Sequence, residues 1–181
     1  MDRERKVLPL VSHTDPIIRQ TLEKFDFSRP PIDPIELAYT LADTMLAKNG
    51  EGLAANQIGL PYRAFAIRAN PVIVCFNPLI VDLATSVSTK EEGCLTFPGI
   101  FTNVTRYDGI KVRYAEPNGQ IVTKKFMGMT AQVYQHELDH LNGVIFTDYA
   151  SRLVLEMAMK KAKKRGFSYK FSDFKKPEQE T

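Results

Sequence analysis

The pentapeptide His136-Glu137-Leu138-Asp139-His140 constrains this chain more than any other feature of its sequence. The chain has only three histidines, and two of them lie here, four residues apart. On an α-helix that spacing puts both imidazoles on one face, where they can hold one divalent cation. The glutamate between them can act on a water beside the metal. A catalytic metal usually takes three protein ligands, so the third ligand decides the kind of site.

The third ligand has to come from outside the pentapeptide. The extended motif of one large metalloprotease class needs a histidine where this chain has Phe146, which cannot coordinate a metal. His13 is far upstream, and we expect it to be a surface residue. Glu156 lies at the downstream distance that another protease class would use. Cys94 is the most attractive candidate, because a thiolate binds zinc or ferrous iron well.

Length and composition indicate one globular domain. The chain has 181 residues, of which 44% are hydrophobic and 25% charged. It has no apolar run of the roughly 18 to 20 residues that a membrane span needs. The charged N-terminus is not followed by an apolar segment, so we expect no secretory signal. Two cysteines without an export signal favour reduced thiols in a cytosol over a disulfide.

The net charge of +3 is unevenly distributed along the chain. Residues 151–166 contain six Lys or Arg residues and one Glu, which is six minus one or +5, so the remainder carries about −2. A polyanionic partner would therefore meet this C-terminal segment.

Hydrophobic periodicity and turn residues predict an α+β fold. Asp-Pro pairs at 15–16 and 33–34 are typical helix starts, and Gly143 is a typical helix end. The predicted helices are 15–24, 33–49, 130–142 and 152–165, and the predicted strands are 64–67, 72–76, 79–83, 110–114 and 121–126. We expect short, mainly antiparallel strands packed around a central H-E-x-x-H helix, with an N-terminal helix and a basic C-terminal helix.

Two further stretches could contribute to a catalytic site. Small residues in 50–57 allow the backbone to run close to another surface or to a ligand. Gln57 ends that run with a side-chain amide that can donate to an oxyanion. Packing alone would also explain such a turn. A lone cysteine is usually a small buried hydrophobic residue, as we expect for Cys75. Cys94 differs, because the glycine before it and the hydroxyl after Leu95 indicate a turn that presents the sulfur and the Leu95 N–H.

Three motifs together closely resemble the peptide deformylase family: G-x-G-L-A-A-x-Q, E-G-C-L-T and Q-H-E-L-D-H-L, in this order. The resemblance runs from about residue 10 to 150. It implies an amide hydrolase that removes the N-formyl group from formyl-methionine of newly made polypeptides and releases formate. It also implies one divalent metal, Fe2+ most of all, with Zn2+, Ni2+ or Co2+ able to occupy the site.

The resemblance also assigns roles by position. Glu137 would transfer protons between water and the leaving amine, and the Gln57 amide and Leu95 N–H would stabilise the oxyanion. The implied metal ligands are Cys94, His136 and His140, and the implied substrate-binding residues are Glu51, Gly52, Gly93 and Val133. The chain departs from the family pattern at the pocket: Phe101 replaces a common arginine, and Gln132 replaces an apolar residue. These departures concern substrate preference, not the reaction.

The resemblance extends to partners and location. Bacterial deformylases use a C-terminal helix to dock on the ribosome, and the basic segment 151–166 suits that role. We expect a deformylase domain at 1–150, the basic helix at 151–166 and a flexible tail at 167–181. The protein should be a monomer without membrane contact, in the cytoplasm of a bacterial cell or encoded by a virus acting in one. The alternatives are a metallo-endopeptidase, or a non-catalytic metal-containing module that binds ribosomes or nascent chains.

Overall fold

The structure is a computed structural model that describes residues 4–174, and it has the predicted α+β fold. The helices are α1 (Pro34–Ala47), α2 (Gly128–Leu141) and α3 (Arg152–Lys164). The strands are β1 (Gly52–Ala54), β2 (Ala64–Ile67), β3 (Ile73–Leu83), β4 (Val87–Cys94), β5 (Phe97–Tyr107), β6 (Gly109–Ala115) and β7 (Ile121–Met127). Within residues 4–174, no helix combines the length and the apolar character that crossing a membrane requires.

The strands form two separate antiparallel units. One is a five-stranded sheet in the order β1-β2-β3-β6-β7, and the other is the β4-β5 hairpin. Helix α2 contacts both units, and its apolar face is buried against the sheet, where Tyr134 packs edge-on against Phe65. The opposite edge of the helix is left facing the hairpin, so functional side chains of α2 and β4 can meet.

Local sequence explains where the main helices begin and end. The Asp33 side chain accepts hydrogen bonds from the backbone N–H groups of Ile35 and Glu36, and Pro34 takes the first helical position, as predicted. Gly143 follows α2 with a φ of +69°, and a Cβ there would overlap the carbonyl of Arg19. A glycine is therefore required at the end of the helix that carries the two histidines.

The predicted helix at 15–24 is wrong beyond its first turn. Only Pro16–Arg19 is helical, as a 3-10 turn, although Asp15 caps it as expected. The chain then extends, and the Leu22 N–H donates to the Leu141 carbonyl at 2.9 Å. The backbone of this segment donates a hydrogen bond to the C-terminal end of α2. If the helix continued past Arg19, the Leu141 carbonyl would lose this donor.

The predicted strands 72–76 and 79–83 are one strand, β3, and the prediction of a break between them is wrong. The Asn-Pro pair at 77–78 produces a register irregularity instead of an end. Asn77 adopts a φ of +50°, and its side chain exchanges two hydrogen bonds with the backbone of Phe25. Those bonds stabilise the distortion, and pairing with β6 resumes beyond it.

The C-terminal segment is ordered further than the sequence indicates. The expected flexible tail begins at residue 167, but Tyr169 donates to the Pro98 carbonyl at 2.7 Å and Phe174 packs against Phe97. His13, expected on the surface, is partly buried: its side chain is 26% exposed and lies 3.2 Å from Asp173. Residues 167–174 therefore pack back onto the domain, and residues 175–181 lie outside the described range.

Candidate metal centre and active site

The structure brings Cys94, His136 and His140 together. The ligand atoms of these residues all lie within 4.8 Å of one another, and Cys94 Sγ is 3.3 Å from His140 Nε2. Within residues 4–174 this is the one cluster of at least three such ligands, and it includes neither His13 nor Glu156. One thiolate and two imidazoles suit a single divalent transition metal and leave a further position open.

The spacing of residues along helix α2 and along strand β4 places these side chains together. The two histidines lie one helical turn apart on α2, with ring centroids 5.0 Å apart. Cys94 ends β4 and pairs with Phe97 across a two-residue turn, Leu95–Thr96. Glu92, two residues before Cys94, also contacts α2, because alternate residues of a strand share a face. One strand face therefore presents both the Cys94 thiol and the carboxylate that contacts His136.

Glu92 orients His136 and is itself held by Arg106. His136 Nδ1 lies 2.9 Å from Glu92 Oε2, and Arg106 donates to both carboxylate oxygens at 2.9 and 3.1 Å. Burial alone would raise the pKa of Glu92, but its hydrogen bonds with His136 and Arg106 lower it to about 2. The carboxylate therefore accepts from Nδ1–H, which leaves His136 Nε2 as the nitrogen available to a metal.

The pKa values of the two histidines are shifted in opposite directions. Burial lowers the pKa of His140 well below its usual value, so its imidazole is neutral, as a ligand must be. For His136, burial also acts to lower the pKa, but hydrogen bonds with Cys94 and Glu92 outweigh it and raise the pKa well above its usual value. A metal bound by His136 would therefore displace a proton. His140 Nδ1 is buried without a partner among the described residues.

Replacing Arg106 tests whether the Glu92 carboxylate must be held in place to orient His136. It is only 7% exposed and also donates to Asp139 at 2.6 Å. Arg106→Leu leaves Glu92 buried without its compensating charge, so we expect metal affinity to fall about 10- to 100-fold and the free energy of unfolding to fall by about 3 kcal/mol. Metal titration against a competing chelator and urea unfolding measure the two effects.

The matched control for Arg106 is Arg152, which forms an exposed ion pair with Glu156 on α3. Arg152→Leu should change the free energy of unfolding by less than about 0.5 kcal/mol and leave metal affinity unchanged. Equal metal affinity in the Arg106 variant and the parent protein would show that Glu92 needs no support from Arg106.

Glu137 lies beside the Cys94, His136 and His140 cluster, next to the backbone of β1. The residue is 3% exposed, its Oε2 has no partner among the described residues, and a Cβ on Gly52 would overlap its Oε1. Burial is the largest cause that raises the pKa of Glu137, to about 7. A carboxyl group with that pKa can both accept and return a proton near neutrality.

The Gln57 amide is fixed by its neighbours. Its Oε1 accepts the Ala54 N–H at 2.8 Å, and its Nε2 lies 3.2 Å from Cys94 Sγ and 3.1 Å from Thr96 Oγ1. The donor end of the amide therefore points toward the Cys94 thiol and the two histidines clustered with it. Leu95 occupies the turn directly after Cys94, so its backbone N–H is at the same end of the hairpin.

An open cavity of about 510 Å³ leads to this centre. Its wall includes the sequence-predicted residues Glu51, Gly52, Gly93 and Val133, together with Gln57, Cys94, Leu95, His136 and Glu137. The contacts of Glu92 and Arg106 are not predicted by any motif of the sequence. The spacing of Glu92, two residues before Cys94, was the signal that could have indicated the first of them.

Comparison with known proteins gives a consistent family assignment. The family model described as polypeptide deformylase matches residues 7–156. The chain is 38% identical to the peptide deformylase of Brucella suis biovar 1, over 87% of this chain and 93% of the relative. It is also 38% identical to the peptide deformylase of Desulforudis audaxviator, over 81% of this chain and 96% of that protein.

Solved structures agree with the sequence relatives. A Synechococcus elongatus peptide deformylase in complex with actinonin superimposes with a TM-score of 0.83 at 31% identity, covering 97% of each chain. A class I type b enzyme from Acinetobacter baumannii with Met-Ala-Ser bound gives a TM-score of 0.74 at 30% identity, covering 81% of this chain and 99% of that one. The family match, the fold and the clustered site lead to one conclusion: this chain belongs to the polypeptide deformylase family and is a hydrolase of linear amides.

Proposed function

We propose that this enzyme removes the N-formyl group from formyl-methionine at the start of newly made polypeptides and releases formate. One divalent metal would be held by Cys94, His136 and His140, with Fe2+ as the ion in the cell and Zn2+, Ni2+ or Co2+ as substitutes. The observation that carries the proposal is the clustering of Cys94, His136 and His140 beside an open cavity whose wall includes Cys94, His136 and Glu137. The match of residues 7–156 to the polypeptide deformylase family model favours deformylation over endopeptidase chemistry.

Proton transfer falls to Glu137 in this mechanism. A divalent cation at the site would supply Lewis acidity, which polarises a carbonyl and lowers the pKa of water. Glu137 takes the proton of the attacking water and later gives it to the α-amine as the formyl C–N bond breaks. Its raised pKa, about 7, makes both transfers accessible at neutral pH.

Two donors from different elements stabilise the charge that develops on the formyl oxygen. The Gln57 Nε2 is pre-oriented, because the Ala54 N–H holds the other end of the amide. The Leu95 N–H is set by the tight turn that closes the hairpin. A donor of this kind is worth about 3–4 kcal/mol in the transition state, since it needs no reorganisation during the reaction.

The substrate backbone would lie between β1 and β4. Strand β1 is the edge of the five-stranded sheet, and Glu51, Gly52 and Gly93 line the cavity from the two sides. Backbone groups at these positions can pair with an extended peptide of any sequence. Val133 adds apolar wall for the first side chain.

A formate-release assay with anaerobically iron-loaded protein and formyl-Met-Ala-Ser tests the proposal. The expected result is formate and free Met-Ala-Ser, without cleavage inside the peptide. Cleavage of internal peptide bonds would instead support a metallo-endopeptidase. Metal retention and peptide binding without any formate would support a non-catalytic module, and either result would reject deformylation.

We also infer that the basic helix at 151–166 docks on the ribosome and that residues 1–150 are the deformylase domain. The protein would act as a monomer in the cytoplasm of a bacterial cell, or in a bacterial cell infected by a virus that encodes it. Exposed lysines at 160, 161, 163 and 164 of α3 support this inference, whereas Leu155, Ala158 and Ala162 face the domain core. The exposed charge is therefore available to a polyanion.

The double variant Lys160→Glu/Lys164→Glu should weaken binding to bacterial ribosomes about tenfold or more and reduce its salt dependence. Co-sedimentation across a salt series measures both effects. The variant Lys90→Glu/Lys125→Glu makes the same charge change on exposed residues of β4 and β7 and is the control. Equal loss in the two variants would show that net charge, and not α3, determines binding.

A further inference from the structure

Four residues at the start of β5 line the substrate cavity, and the segment 165–174 contacts every one of them. These cavity residues are Phe97, Pro98, Gly99 and Phe101. The segment follows α3 directly, and Gly166 turns the chain with a φ of +90°. It lies beyond the part of the chain that matches the family model, which ends at residue 156. Residues outside the matched region therefore contribute to the surroundings of the catalytic site.

Tyr169 makes a polar contact between this segment and β5. Its hydroxyl donates to the Pro98 carbonyl at 2.7 Å, and the residue is half-buried. The Tyr169 ring packs edge-on against His13 at a centroid distance of 5.0 Å and lies 5.5 Å from the Phe174 ring. Phe174 in turn lies 5.7 Å from Phe97, the residue directly before Pro98. Packing of these rings fixes the hydroxyl at the Pro98 carbonyl.

Two further contacts follow along β5. A Cβ on Gly99 would overlap the Phe167 ring, and Gly99 also has a φ of +81°, so glycine suits this position on both grounds. The Arg165 guanidinium lies over the Phe101 ring, with its carbon 5.4 Å from the ring centroid. The segment therefore follows β5 in the reverse direction, from Phe101 back to Phe97.

The turn that carries the Leu95 N–H is restrained by hydrogen bonds from two different elements. Thr96 Oγ1 accepts from Gln57 Nε2 at 3.1 Å. Two residues on, the Pro98 carbonyl accepts from Tyr169. An oxyanion donor must be held within about 0.5 Å of its productive position to be effective. Loss of the hydrogen bond at Pro98 removes one of these two restraints, so the Leu95 N–H gains freedom to move.

We propose that Tyr169 is a positioning residue of the deformylase reaction, which holds the Leu95–Thr96 turn in the geometry that stabilises the oxyanion. The inference rests on the proposed function and adds a requirement for a residue beyond the family match. Tyr169 is not among the residues that line the cavity, so it acts on the reaction through the Pro98 carbonyl. A loosened turn should destabilise the transition state more than the bound peptide, because the charge on the formyl oxygen develops only in the transition state.

Tyr169→Phe removes the hydroxyl and keeps the ring, so it tests the hydrogen bond alone. With iron-loaded full-length protein and formyl-Met-Ala-Ser, we expect kcat for formate release to fall about fivefold, as for the loss of one hydrogen bond. KM and metal content should stay at the parental level. Hydrogen–deuterium exchange in residues 95–101, measured by mass spectrometry without substrate, should become about fivefold faster.

Tyr62→Phe is the matched control. Tyr62 packs on a different core cluster, with its ring 5.8 Å from that of Phe25, and it lies outside the cavity wall. This variant loses the same hydroxyl and should leave kcat, KM and the exchange in residues 95–101 unchanged. Urea unfolding of both variants shows whether the kcat values refer to folded protein.

Parental kcat in Tyr169→Phe would overturn the inference and leave the proposed function standing. Parental exchange in residues 95–101 would overturn it equally, because the turn would then not depend on Tyr169. A rise in KM at constant kcat would also overturn it, since that pattern indicates weaker peptide binding and not a misplaced oxyanion donor. No formate from the wild type would instead reject the proposed function, and with it the inference.

Discussion

Glu137→Gln is expected to lower kcat/KM for formate release about 10³-fold while metal content stays at the parental level. The amide has nearly the shape of the carboxylate but cannot take a proton from water or return one to the amine. Glu137 is not among the clustered ligand atoms, so its replacement should not release the metal. Steady-state formate assays and elemental analysis of the same preparation measure the two quantities.

The contrast between activity and metal content makes this prediction specific. Loss of metal together with activity would place Glu137 in the ligand set, contrary to the geometry. More than about a tenth of the parental activity would mean that another group moves the proton. Glu137→Asp is a useful companion, since it keeps the charge and withdraws the carboxylate from its position against Gly52.

Cys94→Ala is expected to abolish stable metal binding and to lower formate release about 10³-fold or more, because without the metal no group brings the pKa of water near neutrality. Cys75→Ala is the matched control, since Cys75 is a buried free thiol in β3 outside the metal cluster. It should keep its metal and its activity while losing about 1 kcal/mol of unfolding free energy. Metal content after dialysis, formate release and urea unfolding separate the two variants.

Two outcomes would contradict the role of Cys94. Parental metal content in Cys94→Ala would mean that the third ligand lies elsewhere in the chain. Surviving cleavage of internal peptide bonds in this variant would favour the endopeptidase alternative, in which the cysteine is not needed. Comparable losses in Cys75→Ala would point to a general requirement for thiols instead of a ligand role.

The clustering of Cys94, His136 and His140 could be predicted because coordination chemistry admits few residue types. Helical spacing relates His136 to His140, and the phenylalanine at position 146 leaves Cys94 as the most suitable third ligand. Arg106 could not be found in this way. Its contact with Glu92 depends on the register of β4 against β5 and on Asp139 approaching from α2, neither of which is encoded in a local pattern.

The secondary structure could be predicted where no tertiary contact competes with the local cap and turn residues. Asp33 and Pro34 start α1 as expected, because cap and proline agree. Asp15 and Pro16 give the same signal, yet that helix ends after one turn because the chain that follows pairs with the end of α2. Likewise the Asn-Pro pair at 77–78 lies inside a strand, since contacts with Phe25 outweigh the local tendency to break. Tertiary partners of this kind are not visible in a window of sequence.

The arrangement of β4 restricts how the length of this protein can vary. Glu92 and Cys94 must both face α2, so a single residue inserted between them would rotate one of the two away from the histidine it serves. The turn at 116–120 between β6 and β7 carries none of these contacts. Insertions used to attach tags or reporter domains should therefore be placed at 116–120, and the short stretch from Glu92 to Thr96 should be left at its present length.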